Sequence, residues 1–275
     1  MKIITILLTA FACVSCISSI SKLSELSING SDLDLTGDTT NYVTRTLDLA
    51  GFNAIKSEGI ANITYTQGNK YSVVVRCLKE IIDQTDIVVL DSVLTINQDN
   101  IKKKNNIPTM YLDITSPDFN SITIEGVTTI NAKKIETNGK FDIIVEGVSN
   151  INIDSISCAK SKINIEGVCN IESNINATGK IDIDIEGVSK GIMWLTAQAL
   201  SIDCEGAANM NFDYNGDDAD IEIGGVSNIK FNTNCKKLKA QNEGVSTLKI
   251  SGIAEDTNII SSGVSKINTK ELNKF

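Results

Sequence analysis

The sequence predicts an all-β protein: a parallel β-helix or β-solenoid of about eight coils of 19–21 residues, with a mostly antiparallel β cap on its N-terminal side. Three observations predict it. A Glu-Gly-Val triplet recurs at a nearly constant period, aliphatic residues alternate with polar ones around each copy, and the stretch before the copies has hairpin spacing instead.

The triplet glycines are Gly126, Gly147, Gly167, Gly187, Gly206, Gly225, Gly244 and Gly263, at separations of 21, 20, 20, 19, 19, 19 and 19 residues. A period near 20 marks a repeat architecture. Gly59, in Ser57-Glu58-Gly59-Ile60, reads as a ninth copy split off by an insertion. Four residues before the eight glycines stand Ile122, Ile143, Ile163, Ile183, Ile202, Ile221, Ala240 and Ile259. Two before are Ile124, Val145, Ile165, Ile185, Cys204 and Ile223, then Asn242 and Ser261. Polar residues such as Asn164, Asp184, Asp203 and Glu222 fill the position between, which is the period of a strand with one buried face. Val follows the glycine in seven copies, with Ala207 the exception. Four residues on come Ile130, Ile151, Ile171, Met210, Ile229, Leu248 and Ile267, broken only by Gly191, so a second strand follows each glycine. A unit this short cannot close a core alone. Stacked on its like at ~4.8 Å per coil, it buries its isoleucines in continuous columns. The glycine is expected where the chain bends and a side chain would collide or force an unfavourable φ. Asn242 and Ser261 suggest that the last coils lose their demand for an apolar residue.

Residues 122–275 form the solenoid in this reading and 43–121 the cap, with hairpins expected between Ile63–Tyr65 and Ser72–Cys77 and between Asp86–Leu90 and Val93–Asn97. Residues 17–42, rich in Ser, Thr, Asn, Asp and Gly, read as a flexible tether. Residues 1–16 have the form of an export signal: Met1-Lys2, then an apolar run from Ile3 to Ala12 too short to span a bilayer. The stretch Ala12-Cys13-Val14-Ser15-Cys16 resembles a bacterial lipoprotein processing site, with Cys16 the preferred lipidated residue and Cys13 the alternative. The expected setting is the cell envelope, anchored at the outer membrane through acyl chains.

Composition excludes several function classes. The 275 residues carry a formal charge of −9, or −10 once Lys2 leaves with the leader, and only two arginines, so nucleic acid is not an expected partner. Histidine is absent, which removes Ser-His-Asp and Cys-His nucleophile systems and imidazole metal ligands. Cys77, Cys158, Cys169, Cys204 and Cys235 are odd in number, follow no framework and are expected as free, buried thiols.

Glu125, Glu146, Glu166, Glu186 and Glu205 precede the glycine on the outer face, where stacked carboxylates repel one another and attract cations. A solvated acidic face is the plainer reading. Asp213, Asn215 and Asp217 crowd one stretch with alternating oxygen ligands, although the glycine is misplaced for an EF-hand loop and a polar turn is expected. No metal or cofactor is assigned. Asn150, Asn170, Asn209 and Asn228 are expected to stack as a structural amide ladder. Asp182, Asp184 and Asp203 could place a carboxylate pair across adjacent coils, as a β-helical polysaccharide lyase or hydrolase would need. The same positions are polar in every repeat, which favours a scaffold.

The segments Gly147-Val148-Ser149-Asn150-Ile151, Gly167-Val168-Cys169-Asn170-Ile171 and Gly225-Val226-Ser227-Asn228-Ile229 resemble the auto-transporter adhesin head GIN domain family of exported Bacteroidetes-type proteins. Phe52-Asn53-Ala54-Ile55 and Ile63-Thr64-Tyr65-Thr66-Gln67-Gly68 resemble its N-terminal portion, and the likeness covers about residues 45–268. The resemblance implies a β-helical envelope protein, frequently a lipoprotein, with adhesion as its role. The expected partners are a membrane through the lipid, a surface glycan or protein, and further copies meeting at the solenoid ends.

Overall fold

The computed structural model describes residues 39–102 and 107–273, so the leader, Cys16 and nearly all of the expected tether lie outside the described residues. From the first rung after the insertion, each turn of the chain is a short strand, the glycine corner and a longer strand. β8 (Ser121–Ile124) leads to β9 (Val127–Glu136), β10 (Lys140–Val145) to β11 (Val148–Cys158), and β12 (Lys160–Ile165) to β13 (Val168–Ala177). After β14 (Lys180–Ile185) the strands lengthen into β15 (Val188–Cys204), β16 (Ala207–Ile223), β17 (Asn228–Asn242) and β18 (Thr247–Ser261). Each of these supplies the second limb of one rung and the first limb of the next, and β19 (Lys266–Asn273) follows.

Rungs pair in parallel with an offset equal to the sequence repeat. Ile143, Ile163, Ile183, Ile202, Ile221, Ala240 and Ile259 are successive partners on one side, and Val148, Val168, Val188 and Ala207 on the other. Stacking like on like turns the sequence columns into an interior. Ile143, Ile163, Ile183, Ile202 and Ile221 are all buried, as are Ile151, Ile171, Met210 and Ile229. Each such side chain contributes about 1.5–3 kcal/mol relative to exposure. Gly191 interrupts its column because β15 passes too close for anything larger: a Cβ there would lie 1.9 Å from the Ile171 carbonyl oxygen.

The glycine corners answer to two different constraints. A Cβ on Gly187 would lie 2.0 Å from the Gly167 carbonyl oxygen, because corners of neighbouring rungs meet backbone to backbone. Glu186 and Gly187 N–H groups both donate to the Ile165 carbonyl (2.9 and 3.0 Å), and Val188 N–H donates to that of Gly167 (2.9 Å). A Cβ on Gly263 would make only an ordinary contact, 3.5 Å from the Gly244 carbonyl oxygen, but its φ of +72° disfavours any residue with a Cβ. Asn242 departs from expectation. It is fully buried, donating from Nδ2 to the Lys266 carbonyl (3.1 Å) and accepting from Ser246 Oγ (2.5 Å), so a polar group replaces the aliphatic one with its bonds made. Ser261 does face solvent and meets Ser265 Oγ at 2.9 Å.

The antiparallel part of the first 121 residues is smaller than the sequence suggests. β2 (Ala54–Ser57) and β3 (Ile60–Gln67), joined at Gly59, form a rung: β2 pairs in parallel with β8, and β3 with β9. Beneath them, β6 (Val93–Asn97) and β7 (Met110–Ser116) make a further parallel rung, β6 on β2 and β7 on β3. The expected hairpin of β3 with β4 (Ser72–Leu78) is therefore absent, because β7 lies between them and pairs antiparallel with β4. Both edges of β3 go to parallel neighbours whose Leu112 and Ile130 continue the column through Ile63. The other hairpin forms as expected, β5 (Asp86–Leu90) with β6, through Asp91 and Ser92 at φ +50° and +65°, left-handed values that suit a tight hairpin turn. β1 (Tyr42–Leu47) completes the cap, antiparallel to β4, and a short helix, α1 (Lys79–Ile82), buries Ile81 and Ile82.

Candidate functional site

With the aliphatic columns inside, every second residue of each strand faces out, and the outer wall is a set of columns one rung apart. Three run side by side at the glycine corner. The first is the glutamate column, exposed at Glu125, Glu146, Glu166, Glu186 and Glu205. At its capped end Lys56 Nζ bridges Glu58 (2.5 Å) and Glu125 (2.8 Å). Hydrogen bonding to Glu125 and then to Glu58 raises the Lys56 pKa, and Lys56 in turn holds the Glu58 carboxyl below its usual value. Glu166 accepts from Asn164 Nδ2 at 3.2 Å.

The second column is the valine that follows each glycine. The sequence marks it only as a constant, and the structure turns it outward: Val148, Val168 and Val188 are 39%, 44% and 41% exposed, in register on adjacent rungs. The position beyond it points inward and carries small residues, Ser149, Cys169, Ser189 and Ala208. Parity counted from the isoleucine four residues after the glycine was the signal for this.

The third column is the expected amide ladder, in two segments. Asn170 Nδ2 donates to Asn150 Oδ1 (2.9 Å) and Asn228 Nδ2 to Asn209 Oδ1 (3.2 Å), while Lys190 occupies the rung between. Further amide contacts extend the same wall, Asn152 to Asn131 (3.0 Å) and Asn234 to Asn215 (3.2 Å).

Asp213, Asn215 and Asp217 do not form a ligand loop. β16 runs through all three, and each is engaged by the next rung: Asp213 accepts from Asn232 (3.1 Å), Asn215 from Asn234, and Asp217 pairs with Lys236 (2.8 Å). In place of the expected turn the strand continues past buried Tyr214, whose hydroxyl donates to the Asp218 carbonyl (2.9 Å). Among the described residues no three Cys, Asp or Glu side chains converge so as to hold a metal ion.

The carboxylates set across coils do come together. Asp184, Asp203 and Glu222 are register partners on three successive rungs, whereas Asp182 faces Ser201 and pairs with Lys180. Burial, then the charges of Glu205, Asp184 and Glu222, raise the Asp203 pKa. Lys239, register partner of Asp220 in the adjoining column, reaches across to the end of this one, 2.9 Å from Glu222 and 3.1 Å from Asp220. The cysteines from Cys77 to Cys235 are free and buried, and burial pushes the thiols of Cys158 and Cys169 to about 11 and about 12. They are protonated packing residues.

The family model described as "putative auto-transporter adhesin, head GIN domain" matches residues 51–212 and again 192–274. The chain belongs to that family. The overlap of the two head GIN matches at 192–212 fits a solenoid, in which a shift by whole rungs restores the pattern. Among solved structures the chain is similar to a "putative adhesin" of Bacteroides fragilis, at 24% identity and a TM-score of 0.53, over 82% of this chain and 96% of that one. It is similar also to a "putative adhesin" of Parabacteroides distasonis (20% identity, TM-score 0.47, 82% and 96% covered). A "putative lipid binding protein" of the same species aligns at 16% identity and a TM-score of 0.46, over 86% and 97%. No curated protein matches the chain. Among the described residues no helix is long and apolar enough to cross a membrane.

Proposed function

We infer that this head GIN protein is a non-enzymatic binding scaffold of the cell envelope, held to a membrane by lipid on Cys16 and working as an adhesin through its outer columns. One observation carries the reading: the glutamate, valine and asparagine columns repeat side by side over successive rungs, giving a long periodic surface suited to an extended partner. The carboxylates an acid–base hydrolase would need, Asp184 and Asp203, belong to a column that Glu222 continues, which suits a wall better than a single reacting pair. The anchor is tested by labelling cells with a palmitate analogue. Label should appear on the wild-type chain and vanish in Cys16→Ser; equal labelling of both removes Cys16 as the attachment point, and no label on either removes the anchor. Adhesion is tested with beads coated with the chain from residue 17 onward; retention on host-cell or matrix surfaces no better than for albumin-coated beads removes the adhesin role.

Exposure at the last rung favours a second reading, end-to-end association of copies: Ile260 and Val264 are 49% and 80% exposed there. Discrete monomers in sedimentation at high concentration would exclude it.

A further inference from the structure

We propose that the outer face of β15 and its flanking rungs binds a neutral, extended glycan chain, with Trp194 as the stacking platform and neighbouring asparagines as hydroxyl partners. This rests on the binding-scaffold reading and names its ligand class and site.

Trp194 is the only tryptophan of the chain, and it is 42% exposed on a strand whose Met193 and Leu195 fill the core. Ile192 stands beside it on the same outer face. Leaving an indole in water forgoes a large burial gain, so such a residue points to a partner. Its surroundings are polar but mostly uncharged. Asn174 lies one rung below and Asp213 one rung above, in register, and the adjoining column carries Asn176, Thr196 and Asn215. Contacts within the wall hold these side chains: Asn176 Nδ2 donates to Asn174 Oδ1 (3.3 Å), Asn232 to Asp213 (3.1 Å) and Asn234 to Asn215 (3.2 Å). Each amide has more donor and acceptor capacity than one such bond uses.

Charge selects among partners. Asp213 at the indole and Glu172 beside Ile192 repel anionic polymers, and Lys190 is the only base on β15. A bilayer surface calls for a wide apolar face fringed with basic residues, which this wall lacks. A neutral polyol matches amides that both donate and accept, and the C–H face of a sugar ring stacks on an indole. Spacing agrees as well: rungs recur at ~4.8 Å, close to the rise per hexose in an extended β-1,4-linked chain. A glycan lying along the stack therefore meets one rung per sugar.

Because Trp194 is the sole indole, its emission reports this site alone. Titrating the chain from residue 17 onward with cellohexaose and chitohexaose should give a saturable blue shift and protection from acrylamide quenching with at least one of them. In calorimetry Trp194→Ala should lose about tenfold in affinity with an unchanged circular dichroism spectrum. Thr196→Arg, which crowds the platform without touching the core, should also block binding, and it serves if Trp194→Ala fails to fold. Silence towards both hexasaccharides overturns the proposal. So does a response confined to polygalacturonate or to phosphatidylglycerol vesicles, or calorimetric binding that both variants leave unchanged. Beads that still adhere when hexasaccharide binding is absent leave the scaffold reading standing and remove this site. Hexasaccharide binding by a chain whose beads do not adhere supports the site and removes the adhesin role.

Discussion

At one end of the stack the rung made by β6 and β7 is covered: β4 runs antiparallel along β7, β1 along β4, and β5 along β6. Below that cover Tyr65 stacks on Phe119 with ring centroids 4.0 Å apart, and Phe119 meets Phe141 edge-on at 5.8 Å. At the other end, among the described residues, no strand covers β19 or the last limb of β18. The aliphatic columns fade there, with Ile259, Ile267 and Leu272 only half-buried. A parallel rung presents its successor with the template it was itself built on, so a solenoid stops cleanly only where something of another kind is laid across it. Strands of reversed direction do this at the first end. They carry both arginines of the chain, Arg45 paired with Asp83 (2.6 Å) and Arg76 lying 4.8 Å from the Tyr111 ring centroid.

The contrast can be broken by substitution, most severely in the middle of the stack. Gly187→Val drives a side chain into the backbone of the rung below and should abolish the cooperative unfolding transition followed by circular dichroism. Gly263→Ala at the open end meets no wall and should cost only about 1–2 kcal/mol of backbone strain. Phe119→Ala under the cap should cost about 3–5 kcal/mol in urea unfolding, whereas Ile267→Ala should cost about 1 kcal/mol; equal losses would contradict the difference between the ends. Hydrogen exchange should sharpen the same point, with amides of β18 and β19 opening before those of β10 to β14. Smaller effects belong to the outer wall. Asp203 has a raised folded pKa, so its favourable contribution is present below about pH 3.8 and is lost as pH rises through the folded value. Asp203→Asn should therefore melt slightly above wild type at pH 7, an advantage that disappears in acid. Glu186→Gln, solvated and outside the core, should leave the melting temperature near that of wild type.

The columns were legible because each repeat states the same constraint again: Ile183 on its own is one hydrophobic residue, and in line with Ile163 and Ile202 it is a wall. Asn150 and Asn170 were legible for the same reason. The outward valines were obscured because their apolar character argues for burial while their parity argues against it, and in the fold parity prevails. Trp194 occurs in one rung only, so no column drew attention to it. The rung made by β6 and β7 was hidden for a different reason. No glycine corner joins its two limbs, and Val93 to Asn97 alternates as any hairpin strand does, so nothing local says that its far edge receives β2. The stretch from Asp213 to Asp217 looked like a loop because acidic residues and a glycine usually mark one, whereas here the neighbouring rungs supply the lysine and amide partners that keep it extended.

The chain enters the stack one rung in from its covered end, because β2 and β3 come first in sequence yet lie between β6–β7 and β8–β9. During synthesis, a nascent segment that has delivered only residues up to 67 holds, besides β1, the two limbs β2 and β3 of one rung with both flanks bare. One flank waits for residues 93–116 and the other for 121–132. Winding thus cannot proceed vectorially from the amino terminus. The first productive nucleus must gather three rungs at once, and until it does the bare edges of β2 and β3 stay open to mispairing.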